Sequence, residues 1–275
     1  DTGVGGHVVV AAGESTGISP AGRGGMVTIT SGSGTKTNSG DISITTPNGG
    51  LLANPADPDS IGGVSGDIIM STGDSTAGAS GSLIMGTGDG VGGAGGSIAM
   101  TVGTGAIGLG GSIDLSAGVT TAGNSGGEIS ITTGKGTATS SGNLVMQTRE
   151  GGASGVSGLV ILSSGAATGT GPSGDVWIGS GGSVGGHGGD IVMTVGSGSV
   201  GVGGLLILSS GESTGGASGA AYLGTGSSTG GSGGDVTISV GDGDTNSGGD
   251  LTLTAGKSTH ATSTGGQVTI TSGSS

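Results

Sequence analysis

The chain has no cysteine and no phenylalanine among its 275 residues, and only one tryptophan, one tyrosine and five prolines. Without cysteine there is no disulfide, no thiolate zinc site and no thiol nucleophile. With aromatics at 1%, a large aromatic-filled core is excluded. Collagen needs abundant proline and a strict glycine every third residue, and five prolines rule it out. Basic residues number only five against 18 acidic ones, a net charge of −13. So few cations cannot build the positive footprint that nucleic acid binding requires, and anionic membrane surfaces are disfavoured likewise. Apolar runs are short, as at 159–162 and 205–208, far below the ~18 residues of a membrane span.

What the chain has is glycine, 76 residues of it. Each glycine inside a helix costs ~1 kcal/mol relative to alanine, so helices are nearly excluded. Yet 30% of the residues are hydrophobic, and they are not scattered. One unit recurs seventeen times. It reads Gly, often Asp or Ser, Val/Ile/Leu, a variable residue, Ile/Leu/Met, two small residues, and Gly, followed by about seven Gly- and Ser-rich residues. The units begin at Gly6, Gly25, Gly40, Gly66, Gly81, Gly96, Gly111, Gly127, Gly142, Gly158, Gly174, Gly189, Gly204, Gly219, Gly234, Gly249 and Gly266. The dominant spacing is 15 residues. Positions three and five are apolar in all seventeen units, and position eight is Gly in fifteen, the exceptions being Pro47 and Arg149.

Apolar residues at positions three and five repeat every two residues, the signature of a strand with one covered face. One six-residue strand cannot bury that face alone, but seventeen at fixed spacing can stack. The expectation is therefore an all-β fold: residues 1–275 as one continuous β-solenoid, a parallel β-helix-like rod of about 17 coils with a 15-residue repeat and no helices. At ~4.8 Å between stacked strands, such a rod is about 80 Å long. Glycine at position eight suits a corner needing positive φ or close backbone approach. Small pairs such as Gly78-Ala79, Gly93-Ala94 and Gly216-Ala217 fit a thinner return strand. A disordered Gly/Ser linker would not hold two apolar columns without a break.

Two stretches interrupt the period. Residues 47–65 exceed a normal unit by 11 residues and carry Pro47, Pro55 and Pro58, which reads as a protruding loop excursion. There Leu51, Leu52 and Ile61 are placed to fold back or to touch a partner. The first unit is also long, with Ile18, Pro20 and Arg23. No signal peptide opens the sequence, which suits a mature product or an excised piece. Regular repeats begin at His7 and run to Ser272 without a polar cap, so end-to-end stacking or a longer parent polypeptide is expected.

Catalytic motifs are weak. Gly103, Gly105 and Gly108 spell GxGxxG, but no helix can follow, and glycine this frequent produces such matches by chance. Residues 133–137 read TGKGT, with Gly136 where a phosphate loop needs Ser or Thr. His7, His187 and His260 fall in units too far apart in a rod to share a site. Position two carries acidic residues that pair on adjacent units: Asp41/Asp67, Asp175/Asp190 and Asp235/Asp250. They read as solvated charge that keeps the face soluble; because stacked carboxylates repel, a weakly bound Ca2+ is the alternative. Sugar cleavage by paired carboxylates lacks the clefts and the basic or aromatic groups it needs. No cofactor and no catalytic residue are expected.

The outward column at position four carries the strongest functional signal. Units nine to fourteen give an unbroken apolar stripe, Val145, Ile161, Trp177, Val192, Ile207 and Tyr222, which holds both aromatics of the chain. Leu159 and Leu205 at position two widen it, and Ile69 and Ile84 occupy the same column earlier. Position six is Gly beside Ile84, Trp177 and Tyr222, at Gly86, Gly179 and Gly224, which leaves room beside each of these side chains. An exposed apolar band of this kind marks a contact surface.

The unit resembles the Gly/Ser/Thr-rich β-solenoid arrays of extracellular surface, adhesin and fibre proteins of microbes, including microalgae. It is also partly similar to solenoid ice-binding proteins, through Thr28/Thr30, Thr252/Thr254 and Thr269/Thr271. The first resemblance implies a non-enzymatic structural protein, extracellular or at the cell surface. It would form or decorate a fibre by lateral and end-to-end packing with copies of itself or a related solenoid chain. The second implies an ice-binding or other flat-surface-binding, adhesive module.

Overall fold

The computed structural model describes residues 5–16, 22–50, 63–106, 108–121 and 123–274. The chain divides into two units, Asp1–Thr139 and Ser140–Ser275. Among the described residues of both there is no helix, no strand and no buried side chain. The accessible surface is 26633 Å². A compact protein of this mass exposes about 10,000 Å², and its extended chain about 36,000 Å².

The all-β solenoid of about 17 coils is therefore not formed. A period of two states which side chains share a face but not which backbone pairs with which. A ladder needs the main chains of successive units to meet edge to edge. Here the backbone bonds that form between neighbouring repeats are local ones, which close single repeats on themselves. Two aliphatic side chains are also little apolar area with which to order fifteen glycine-rich residues.

What the repeat does form is a loop with a neck. In the first unit of the division, the Gly25, Gly40 and Gly127 N–H groups donate to the carbonyls of Gly13, Gly32 and Gly118 at 2.8, 3.0 and 2.9 Å. In the second, Gly219, Gly249 and Gly266 donate to Gly211, Gly241 and Gly256 at 3.1, 3.4 and 2.8 Å. Every one of these bonds joins position one of a repeat to position eight of the repeat before it. At other necks a position-seven hydroxyl donates to the position-one carbonyl: Thr72 to Gly81 at 3.3 Å, Thr87 to Gly96 at 3.2 Å, and Thr148 to Gly158 at 3.2 Å.

The chain bends near the far end of each loop. The bend spans positions eleven to thirteen, as at 35–37, 76–78, 184–186 and 214–216. In three of the longer repeats it begins one residue later, at 153–155, 169–171 and 260–262. The small pairs expected in a return strand, Gly78-Ala79 and Gly216-Ala217 among them, lie at the end of this bend. The positive-φ glycines of the described residues are Gly108 and Gly201, at φ 94 and 85. Both occupy position thirteen, so left-handed backbone serves the bend and not the position-eight corner.

Residues 51–62 of the proline-rich excursion, with Leu51, Leu52, Pro55, Pro58 and Ile61, lie outside the described residues, as do Ile18 and Pro20. The base of the excursion is described. The Gly63 N–H donates to the Gly50 carbonyl at 3.2 Å, and a β-carbon on Gly66 would lie 3.6 Å from Thr46 Cγ2. Position seven thus meets the next position one across the insertion too.

Candidate functional site

The necks explain the invariant glycine at position one. A β-carbon there would lie 3.1 Å from the Ala12 Cβ at Gly25, 3.3 Å from the Thr72 Cγ2 at Gly81 and 3.0 Å from the Thr87 Cβ at Gly96. In the second unit it would lie 3.3 Å from the Cβ of Ser180 at Gly189 and of Ser210 at Gly219. At Gly204 it would collide with Val195. Position seven is accordingly small or β-branched wherever a neck closes. Its valines, Val102, Val195 and Val240, are the most covered large apolar side chains described, at 41–44% exposure.

Position ten sorts the loops into two kinds. At three of its serines the hydroxyl turns into the bend and accepts from position thirteen: Gly78 N–H to Ser75 Oγ, Gly186 to Ser183 and Gly216 to Ser213, each at 3.0 Å. This is the local side-chain-to-backbone bond that favours serine in turns. At Gly34, Gly90, Gly151 and Gly243, also at position ten, the returning backbone comes too close for a side chain. A β-carbon on Gly90 would lie 2.5 Å from the Ala94 carbonyl oxygen, and one on Gly243 would lie 2.6 Å from that of Asn246. The half-buried residues of the structure, Thr46, Gly49, Ala117, Thr120, Gly136, Ala255 and Ser258, all stand at position seven or ten. Sequence reasoning missed this pair of positions. The signal was present in the composition of position ten, which is Ser, Thr or Gly in every repeat that has one except at Ala167.

The apolar columns lie in water. The aliphatic residues larger than alanine at position three, from Val27 to Val268, are 47–60% exposed. The expected contact residues at position four are more so. Ile69 and Ile84 in the first unit, and Val145, Ile161, Trp177, Val192, Ile207 and Tyr222 in the second, are 71–95% exposed. Leu159 and Leu205 are exposed as well. The inward and outward alternation of positions three and four thus survives locally without a sheet. Leu208, Ser209, Ser210 and residues 220–223 line one shallow open depression, which brings Tyr222 beside the preceding repeat. A second, more polar one is lined by Gln147, Thr148, Arg149 and Glu150.

Titratable side chains stay apart. Among the described residues, no three His, Cys, Asp or Glu side chains come together to hold a metal ion, and Asp41/Asp67, Asp175/Asp190 and Asp235/Asp250 gain no third such ligand. His260 sits in the bend of its own loop. Its Nδ1 lies 3.1 Å from Thr262 Oγ1 and 3.4 Å from the Thr262 N–H that donates to it. Its own N–H donates to Ser258 Oγ at 3.3 Å. Among the described residues no helix is long and apolar enough to cross a membrane.

Comparison with known proteins finds no matching family model, no matching curated protein and no matching solved structure.

Proposed function

We propose that this is a non-enzymatic structural protein, extracellular or at the cell surface, that builds a fibre by associating with copies of itself. One observation carries the reading: repeat after repeat presents aliphatic side chains at positions three, four and five to solvent, with Trp177 and Tyr222 in the same array. Soluble monomers seldom expose contiguous apolar area beyond a few hundred Å², and burial against another copy relieves the exposure. A regular period suits this, because a contact made by one repeat recurs at the next. The alternative, binding to ice or another flat surface, needs a sheet to align Thr28/Thr30, Thr252/Thr254 and Thr269/Thr271. No such sheet exists among the described residues, so the geometry lends it no support.

Sedimentation and electron microscopy over a rising protein concentration test the reading. Filaments with a blue-shifted Trp177 emission are expected. A monomer with water-exposed Trp177 at every concentration sinks it.

A further inference from the structure

We infer that the repeats whose necks are bonded store chain length in closed loops, so that the single chain lengthens under tension one such repeat at a time. The neck bonds join residues close in sequence, from Gly32 and Gly40 to Gly13 and Gly25. The hydroxyl version spans nine or ten residues, as in Thr72–Gly81 and Thr148–Gly158. Each closure therefore takes about eight residues out of the path between successive repeats. Extended at ~3.4 Å per residue, those residues restore roughly 25 Å when a neck opens.

The closures are single, exposed hydrogen bonds, and no ladder couples one to the next among the described residues. They open independently, with graded and reversible yielding in place of one cooperative rupture. Position one carries the device. Its glycine lets the backbone reach position eight past the position-seven side chain, and at Gly25, Gly127, Gly219 and Gly249 a β-carbon would stand 2.7–3.3 Å from its nearest neighbour and crowd the neck. The property belongs to one chain and does not depend on assembly into a fibre.

Tethering the full chain by its termini and pulling one molecule at a time tests it. The decisive variant places valine at Gly25, Gly127, Gly219 and Gly249, where a neck bond is made and a β-carbon would be crowded. The control places valine at Gly92, Gly185, Gly215 and Gly230, where a β-carbon meets nothing within 4 Å. At low tension the parent and the control should be shorter than the neck variant by roughly 25 Å per altered neck. At high tension all three should converge on one contour length. Curves that superimpose at every tension, or one cooperative rupture of the parent, overturn the proposal. A second measurement reads the neck without force. The β-carbon of Thr225 lies 3.5 Å from where one would stand on Gly234, within disulfide reach of ~3.5–4.5 Å. Thr225→Cys with Gly234→Cys should oxidise within the chain at high dilution, in a protein with no other cysteine. Two thiols that stay free under oxidant count against the neck.

Discussion

The Gly219 N–H donates to the Gly211 carbonyl at 3.1 Å, while a β-carbon on Gly219 would stand 3.3 Å from the Ser210 Cβ. One glycine thus supplies both the donor and the missing side chain that lets the donor arrive. The relationship recurs at Gly25, Gly127 and Gly249, and it makes position one the most sensitive place in those repeats.

Gly219→Val should open its own neck and leave the others closed. Amide exchange resolved residue by residue is the measurement. Exchange at residue 219 should rise to the rate of an unprotected amide, with Gly249 and Gly266 unchanged. Equal acceleration at all three would mean that the repeats are coupled.

Ser213→Ala should loosen one bend. It removes the oxygen that accepts from Gly216, an interaction contributing at most about 1 kcal/mol net, or roughly fivefold in local opening. The Gly216 amide should exchange faster by up to that factor. Ser213→Thr, which keeps the oxygen, should not change it.

Gly201→Ala places a side chain at φ 85, a conformation that costs an L-residue about 1 kcal/mol or more. The bend at 199–201 should shift, visible in the backbone chemical shifts of Val200 and Val202. Gly215→Ala, in open space within the following bend, should leave its neighbours in place.

Trp177→Asp with Tyr222→Asp should abolish filament formation and spare the necks, because both side chains are exposed and neither belongs to a neck. The parent serves as comparison, by sedimentation at matched concentration. Filaments that persist in the double variant would remove the position-four stripe from the interface.

Added salt should promote association. A net charge of −13 makes copies repel, and the screening length falls from about 10 Å at 0.1 M to about 3 Å at 1 M. Light scattering should show the onset of assembly at lower protein concentration as sodium chloride rises. An onset that moves the other way would mean that charge pairing, not apolar burial, holds the copies together.

The sequence by itself determined the register. The spacing of Gly25, Gly40 and Gly66 through Gly266 sets where each repeat starts, and the alternation of positions three, four and five sets which side chains share a side. In the structure the contrast between positions three and four persists, as at Ile191, about half exposed, and Val192, more so, whereas position five does not return to the covered side at Met146 or Leu208. It also marked the excursion at 47–65, whose base closes between Gly50 and Gly63. The tertiary structure alone decided where the backbone hydrogen bonds go. Positions three and five are as consistent with a ladder between units as with an exposed segment, because side-chain period does not name a backbone partner. The choice was made by local closure. A bond between Gly211 and Gly219 closes only a short loop, whereas a ladder must bring whole repeats into line before any of its bonds form. For the same reason Ser213 and Gly243, at one position of the repeat, hold differently built loops. A hydroxyl captures its own bend, and a bare Cα lets the returning carbonyls press against it.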